Sequence, residues 1–154
     1  MISHLRRRLA EIVGREISAF SRYYDRVIQW RPLPHDDGAV LDAIECPIKE
    51  RLGGDEPMPC QQGRTEERTV VLLNGNFNHH LDIQGLLAEL KPALSRNSRV
   101  ALVAYNPYLR WVFGLAARLG LRRGELPGTF VTRDVLANLA RLAGYEIVRL
   151  RPVG

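Results

Sequence analysis

Lysine is nearly missing from this chain. Lys49 and Lys91 stand alone, and every other residue of its 22 Lys and Arg is an arginine. The net charge of +5 therefore rests on guanidinium groups. They are scattered, apart from Arg6-Arg7-Arg8 and Arg122-Arg123, so basicity by itself defines no nucleic-acid surface. Cysteine is scarce as well: Cys46 and Cys60 form no CxxC and have no paired-histidine spacing. That excludes the ordinary structural zinc patterns, predicts no metal site, and leaves two reduced thiols as the expectation. No apolar run approaches the ~20 residues of a membrane span. No apolar stretch follows the N-terminal arginines, so no secretory signal is expected and the setting expected is cytoplasmic. The P-loop, the nucleophile elbow of hydrolases and the zinc-protease helix motif are also absent.

What is present centres on residues 69–107. Val70-Val71-Leu72-Leu73 is a short apolar run, which predicts a strand covered on both faces. Asn74-Gly75-Asn76 ends it, because Asn and Gly accept the backbone angles of a turn. Asp82 stands at an N-cap position ahead of Ile83, Leu86, Leu87, Leu90 and Leu94, which share one helical face. Arg99 to Ala104 is the next strand. A strand, helix and strand of these lengths form a parallel βαβ unit. Ligands of such sheets bind at the carboxyl ends of the strands, here residues 74–80 and 105–108.

The flanks are read in the same way. Residues 1–30 predict one long amphipathic helix or two, with Leu5, Leu9, Ile12, Val13, Ile17 and Phe20 as the apolar stripe and Gly14 as a weak point. This helical segment precedes an α/β domain over 31–154, the whole forming a single globular unit. Residues 31–38 are turn-rich, and Ala39 to Ile44 is the candidate first strand. Residues 45–68 read as an irregular loop with a short helix near 47–52. Residues 107–120 predict an apolar helix, 121–130 a loop, 133–143 a helix capped by Thr132 and closed by Gly144, and 146–151 a final strand.

The pattern strand-N-G-x-x-x-H-H-x-D-helix-strand-x-N, followed by VTRDVLANLARLAGYEIVRLRP, resembles class I S-adenosylmethionine-dependent methyltransferases. The nearest flavour is the type fused to glycosyltransferases. The resemblance spans about Thr69 to Pro152. It implies a reduced Rossmann-like α/β fold, with a mostly parallel sheet of about four strands and flanking helices. It implies S-adenosylmethionine as the family cofactor, Asp42, Asn74 and Gly75 as cofactor-side residues, and His80 and Asn106 as catalytic candidates. Tyr24, His79 and Tyr108 then border the substrate cleft. Asp55 is the weaker candidate for a ribose contact.

The family's first strand leads into G-x-G-x-G, whose glycines let the backbone approach the cofactor. Laid on Val40-Leu41-Asp42, those glycine positions fall on Ile44, Cys46 and Ile48. The interval that follows is too short for the family's second and third strands, and their loss leaves the first strand as an exposed edge. Three readings follow. The first is a methyltransferase-like domain degenerate in cofactor binding, not itself an enzyme, that acts as a non-catalytic or partner-dependent subunit. It would use a protein partner or homodimer to cover the sheet edge. The second is an active methyltransferase with an atypical site. The third is a small basic module for nucleic acid or an anionic membrane surface.

Overall fold

A computed structural model describes residues 2–54, 56–60, 66–79, 82–104, 115, 118–119 and 131–152. Four parallel strands form one sheet in the order β2-β1-β3-β4. They are β1 (Arg26–Trp30), β2 (Ile48–Leu52), β3 (Thr69–Asn74) and β4 (Arg99–Val103). The helices are α1 (Ile2–Ser21), α2 (Ala39–Ala43), α3 (Asn76–His79), α4 (Ile83–Leu90) and α5 (Arg133–Leu142). The chain is thus a Rossmann-like α/β protein, with the sheet of about four strands that its sequence predicts.

Alternation along the strands builds two cores, one on each face of the sheet. Ile28, Trp30, Val71 and Leu73 face α4 and α5, where Leu86, Leu87, Leu90 and Ala140 meet them. Val27, Val70, Leu72 and Ala101 face the other way, toward Ile17 of α1 and Leu41 of α2. The two inner strands, β1 and β3, are covered on both sides, which is why their middles are apolar apart from Gln29.

Several expectations are corrected. Residues 1–30 are not all helical: α1 ends at Ser21, and Arg26–Trp30 is an inner strand. Val27, Ile28 and Trp30 continue a helical stripe on paper. Pairing on both sides with β2 and β3 overrides that weak local preference. Where the first strand is expected over residues 39–44, Ala39–Ala43 form a helix and Ile44 is its C-cap. Gly38, at φ 80, breaks the chain just before it. The side chains of Asp36 and Asp37 accept hydrogen bonds from the N–H groups of Gly38 and Ala39, at 2.8 and 3.1 Å. Leu41 and Ile44 then reach the same core, three residues apart on one helical face.

The helix expected near 47–52 is not formed; Ile48–Leu52 are strand β2. β1 therefore lies inside the sheet, and β2 takes the edge. That edge carries Lys49, Glu50 and Arg51, charges that blunt pairing with another sheet. The helix after β3 is shorter than its stripe: α4 closes at Leu90 and a 3₁₀ turn, Lys91–Ala93, carries the chain past Pro92. Thr132 occupies the N-cap of α5 without a capping side-chain bond. Residues 146–151 are no strand; among the described residues no strand lies against them. The predicted helix over 107–120 and loop over 121–130 lie outside the described residues, apart from isolated positions.

Gly14 has a role that its helix propensity hides. A Cβ there would lie 2.5 Å from the Cβ of Ala43. Its absence lets α1 sit directly on α2. Ser18 Oγ then donates to the Gly14 carbonyl at 2.6 Å and accepts from Glu45 N–H at 2.8 Å, and Ser21 Oγ donates to the Glu45 carbonyl at 3.0 Å.

Candidate functional site at the switch point

The strand order changes direction between β1 and β3: the chain leaves β1 toward β2, then crosses back to β3 on the other side. The carboxyl ends of those two strands are where an open α/β sheet offers its crevice. Here the crevice is bridged by the protein's own side chains. Gln29 and Asn74 lie on the same face of neighbouring strands, two residues beyond Val27 and Leu72. Their side-chain amides both donate to Asp36 Oδ2, each at 2.8 Å. Asp36 Oδ1 takes the Gly38 N–H at 2.8 Å. The Asp36 side chain is 6% exposed, with the guanidinium of Arg51 3.9 Å away.

A second set of bonds ties the same ends together. Arg31 N–H donates to the Leu52 carbonyl at 2.8 Å, extending the β1–β2 ladder by one residue. The Arg31 carbonyl accepts from Asn76 Nδ2 at 2.7 Å. Its guanidinium lies 4.5 Å over the Trp30 ring and grips both carboxylate oxygens of Glu89 on α4, at 3.0 and 2.6 Å. Arg31 does this from φ 50, the left-handed region that side chains other than glycine rarely adopt. Gln29 Oε1, Trp30 Nε1 and Asn76 Oδ1 are buried there without a hydrogen-bond partner among the described residues. Strained backbone and orphaned polar atoms are both costly, and here they fall together on the ends of β1 and β3.

Of the residues singled out from sequence, the structure brings Asn74, Gly75 and His79 to this end of the sheet. Gly75, at φ 74, donates to the Val103 carbonyl at 2.8 Å, fixing the turn into α3. His79 meets His35 edge-to-face, with ring centroids 5.3 Å apart. Two others do not join them. Asp42 lies on the exposed side of α2, and its carbonyl accepts from Lys49 Nζ at 2.8 Å. Tyr24 precedes the amino end of β1, where its carbonyl accepts from Cys46 Sγ at 3.4 Å. His80, Asn106, Tyr108 and Asp55 lie outside the described residues.

Sequence reasoning missed Asp36, Gln29, Arg31 and His35. One signal was readable: Gln29 is an amide inside an otherwise apolar run, and a buried amide needs a partner. Among the described residues no three metal-ligating side chains come together, and no helix is long and apolar enough to cross a membrane. Cys46 and Cys60 are both free; burial pushes the Cys46 thiol up, the carboxylate of Asp25 adds to that, and a hydrogen bond from the Ile48 backbone opposes it.

The fold and the switch-point crevice define a Rossmann-like α/β protein. No family model matches the chain, and neither a curated protein nor a solved structure matches it.

Proposed function

We propose that this chain is a class I S-adenosylmethionine-dependent methyltransferase-like domain, degenerate in cofactor binding, that acts as a non-catalytic or partner-dependent subunit. The observation that carries the reading is the Asp36 bridge, which holds Gln29 of β1 to Asn74 of β3 across the switch point. A cofactor lying in that crevice would have to break it.

The residues after β1 support the reading. With the family pattern laid on β1, Val27-Ile28-Gln29-Trp30 leads into the turn, and the three glycine positions fall on Arg31, Leu33 and His35. Arg31 keeps a positive φ, as a glycine there would. Its side chain is committed to Trp30 and Glu89. Gln29 stands where the family has an acidic residue. One left-handed position of that turn is thus present, and it carries an arginine where the family has a glycine.

One observation favours a second reading, an active methyltransferase with an atypical site. Strain at Arg31 and the orphaned atoms of Gln29, Trp30 and Asn76 concentrate at this one crevice, as they do at sites that rearrange around a ligand.

Isothermal titration of the full chain with S-adenosylmethionine separates the two. The degenerate reading expects no heat of binding at a protein concentration that would detect a Kd of about 100 μM. Micromolar binding, abolished by filling the crevice with Gly75→Val, would replace it with the second reading.

A further inference from the structure

α5 and the segment after it enclose a groove that the sheet does not use. Gly144, at φ 78, reverses the chain. Tyr145 N–H donates back to the Ala140 carbonyl at 2.9 Å, near the end of α5. At the other end, the Arg133 guanidinium donates to the Leu150 carbonyl at 3.3 Å. Residues 145–150 therefore double back along α5, antiparallel to it. Between the two lies a groove of about 550 Å³.

The helix wall has two adjacent rows, Arg133, Ala137 and Arg141 at four-residue spacing and Asp134 and Asn138 beside them. Arg133 and Arg141 mark its two ends, and Arg149 stands on the returning segment. Against these three guanidinium groups the lining has, among the described residues, one carboxylate, Asp134. Arg149 lies 3.7 Å from Glu16 of α1 and keeps 44% of its side chain exposed. The middle of the groove is mixed: Ala137 and Asn138 on the helix, and Val148, 74% exposed, on the other wall. Val148 and Arg149 make no main-chain hydrogen bond among the described residues.

We propose that this groove binds an extended acidic peptide segment of another protein. Arg133 and Arg141 are eight residues apart on a helix, about 12 Å along its axis. Carboxylates four residues apart on one face of an extended peptide are separated by about 13 Å. A segment with glutamates at i and i+4 therefore matches the two arginines, each of which can take a carboxylate through two N–H groups. The open main chain of residues 148–149 can pair with the peptide as an added strand, and Val148 and Ala137 receive the side chains between the glutamates. Single-stranded nucleic acid would use aromatic platforms for its bases, and among the described residues no aromatic ring lines this groove. The inference goes beyond the cofactor reading and uses none of the switch-point residues.

The test is fluorescence anisotropy of the full chain with a labelled peptide of about ten residues, carrying Glu at every fourth position with Val and Ser between. Its Gln counterpart and a single-stranded oligonucleotide serve as competitors. The acidic peptide is expected to bind about tenfold more tightly than the Gln peptide, and about tenfold more weakly to Arg141→Glu, at roughly 0.15 M salt. Arg141→Gln, a milder change on the exposed face of α5, is expected to weaken binding while leaving thermal unfolding unchanged. It serves if the reversal variant is unstable. Equal binding of the Glu and Gln peptides, wild-type binding by both Arg141 variants, or tighter binding of the oligonucleotide than of the acidic peptide overturns the proposal.

Discussion

Asp36 and Asn74, 38 residues apart in the chain, are joined by a 2.8 Å hydrogen bond that closes the crevice between β1 and β3. The same carboxylate holds Gln29 and the Gly38 N–H. Asp36→Ala would leave three donors facing a void with little access to water. Hydrogen bonds to a charged acceptor contribute about 1.5–3 kcal/mol each, and buried orphan donors cost about 1–3 kcal/mol. The expected loss is about 3 kcal/mol in urea unfolding. A loss below about 0.5 kcal/mol, the usual size for a surface change, would mean that the bridge is incidental.

Gly14 gives a prediction whose sign differs between sequence and structure. Helix propensity alone says that Gly14→Ala stabilises α1 by about 1 kcal/mol. The new methyl group would instead arrive 2.5 Å from Ala43 Cβ and 2.8 Å from its backbone. Forcing α1 and α2 apart costs about 1–3 kcal/mol, and backbone has less room to yield than a side chain. A net drop in thermal midpoint is expected, measured by circular dichroism. A rise would show that the two helices separate freely.

Tyr145 titrates high. Burial pushes its hydroxyl up to about 12 from an ordinary value of 10.0. The hydroxyl donates to the Leu87 carbonyl at 2.8 Å and pins the end of α5 to α4. The folded state thus holds this proton more tightly than the unfolded chain does. The associated stability is fully present below about pH 10 and is lost as pH rises toward about 12. Tyr145→Phe should flatten that alkaline limb in a series of unfolding curves and cost about 1 kcal/mol at neutral pH. An unchanged limb would assign it to other groups.

The two thiols should differ in reactivity. Cys46 is half-buried with a raised pKa, so little of it is thiolate at neutral pH. Cys60 is exposed. Labelling with a maleimide at pH 7, followed by peptide mass mapping, should modify Cys60 first, with Cys46 catching up as pH rises. Faster labelling of Cys46 at pH 7 would show that the Tyr24–Asp25 turn opens readily.

The β3–α4–β4 unit was legible in sequence because each of its elements carries a pattern of its own. A four-residue apolar run, an Asp at the N-cap and a clean helical stripe admit one reading. Asp82 does cap α4, taking the Gly85 N–H at 2.7 Å. The amino-terminal half was misread for a physical reason. Ala39 to Ile44 is short and apolar, and such a run is equally a buried strand or a buried helical turn. What decides it is Gly38 at positive φ and the aspartate caps before it, a local geometry that the apolar pattern does not encode. β1 hid behind a helical stripe that runs on from α1. At the site, Asn74 and Gly75 were legible because the ends of parallel strands can be located from sequence. Asp36 was not, because its partners Gln29 and Asn74 are brought to it only by the pairing of β1 with β3.

The seating of α1 limits what that helix can do elsewhere. Its arginines and apolar stripe suit an anionic surface on paper. Ile17 is buried against the sheet, and Ser18 and Ser21 are bonded to the segment that leads into β2. Only Leu9 and Ile12, 49% and 42% exposed, remain outward on the described part of that stripe. Among the described residues of that stripe, a membrane or polymer would therefore meet two aliphatic side chains flanked by charge. To offer more, the domain would have to lift its own roof and wet Val27, Val70 and Leu72.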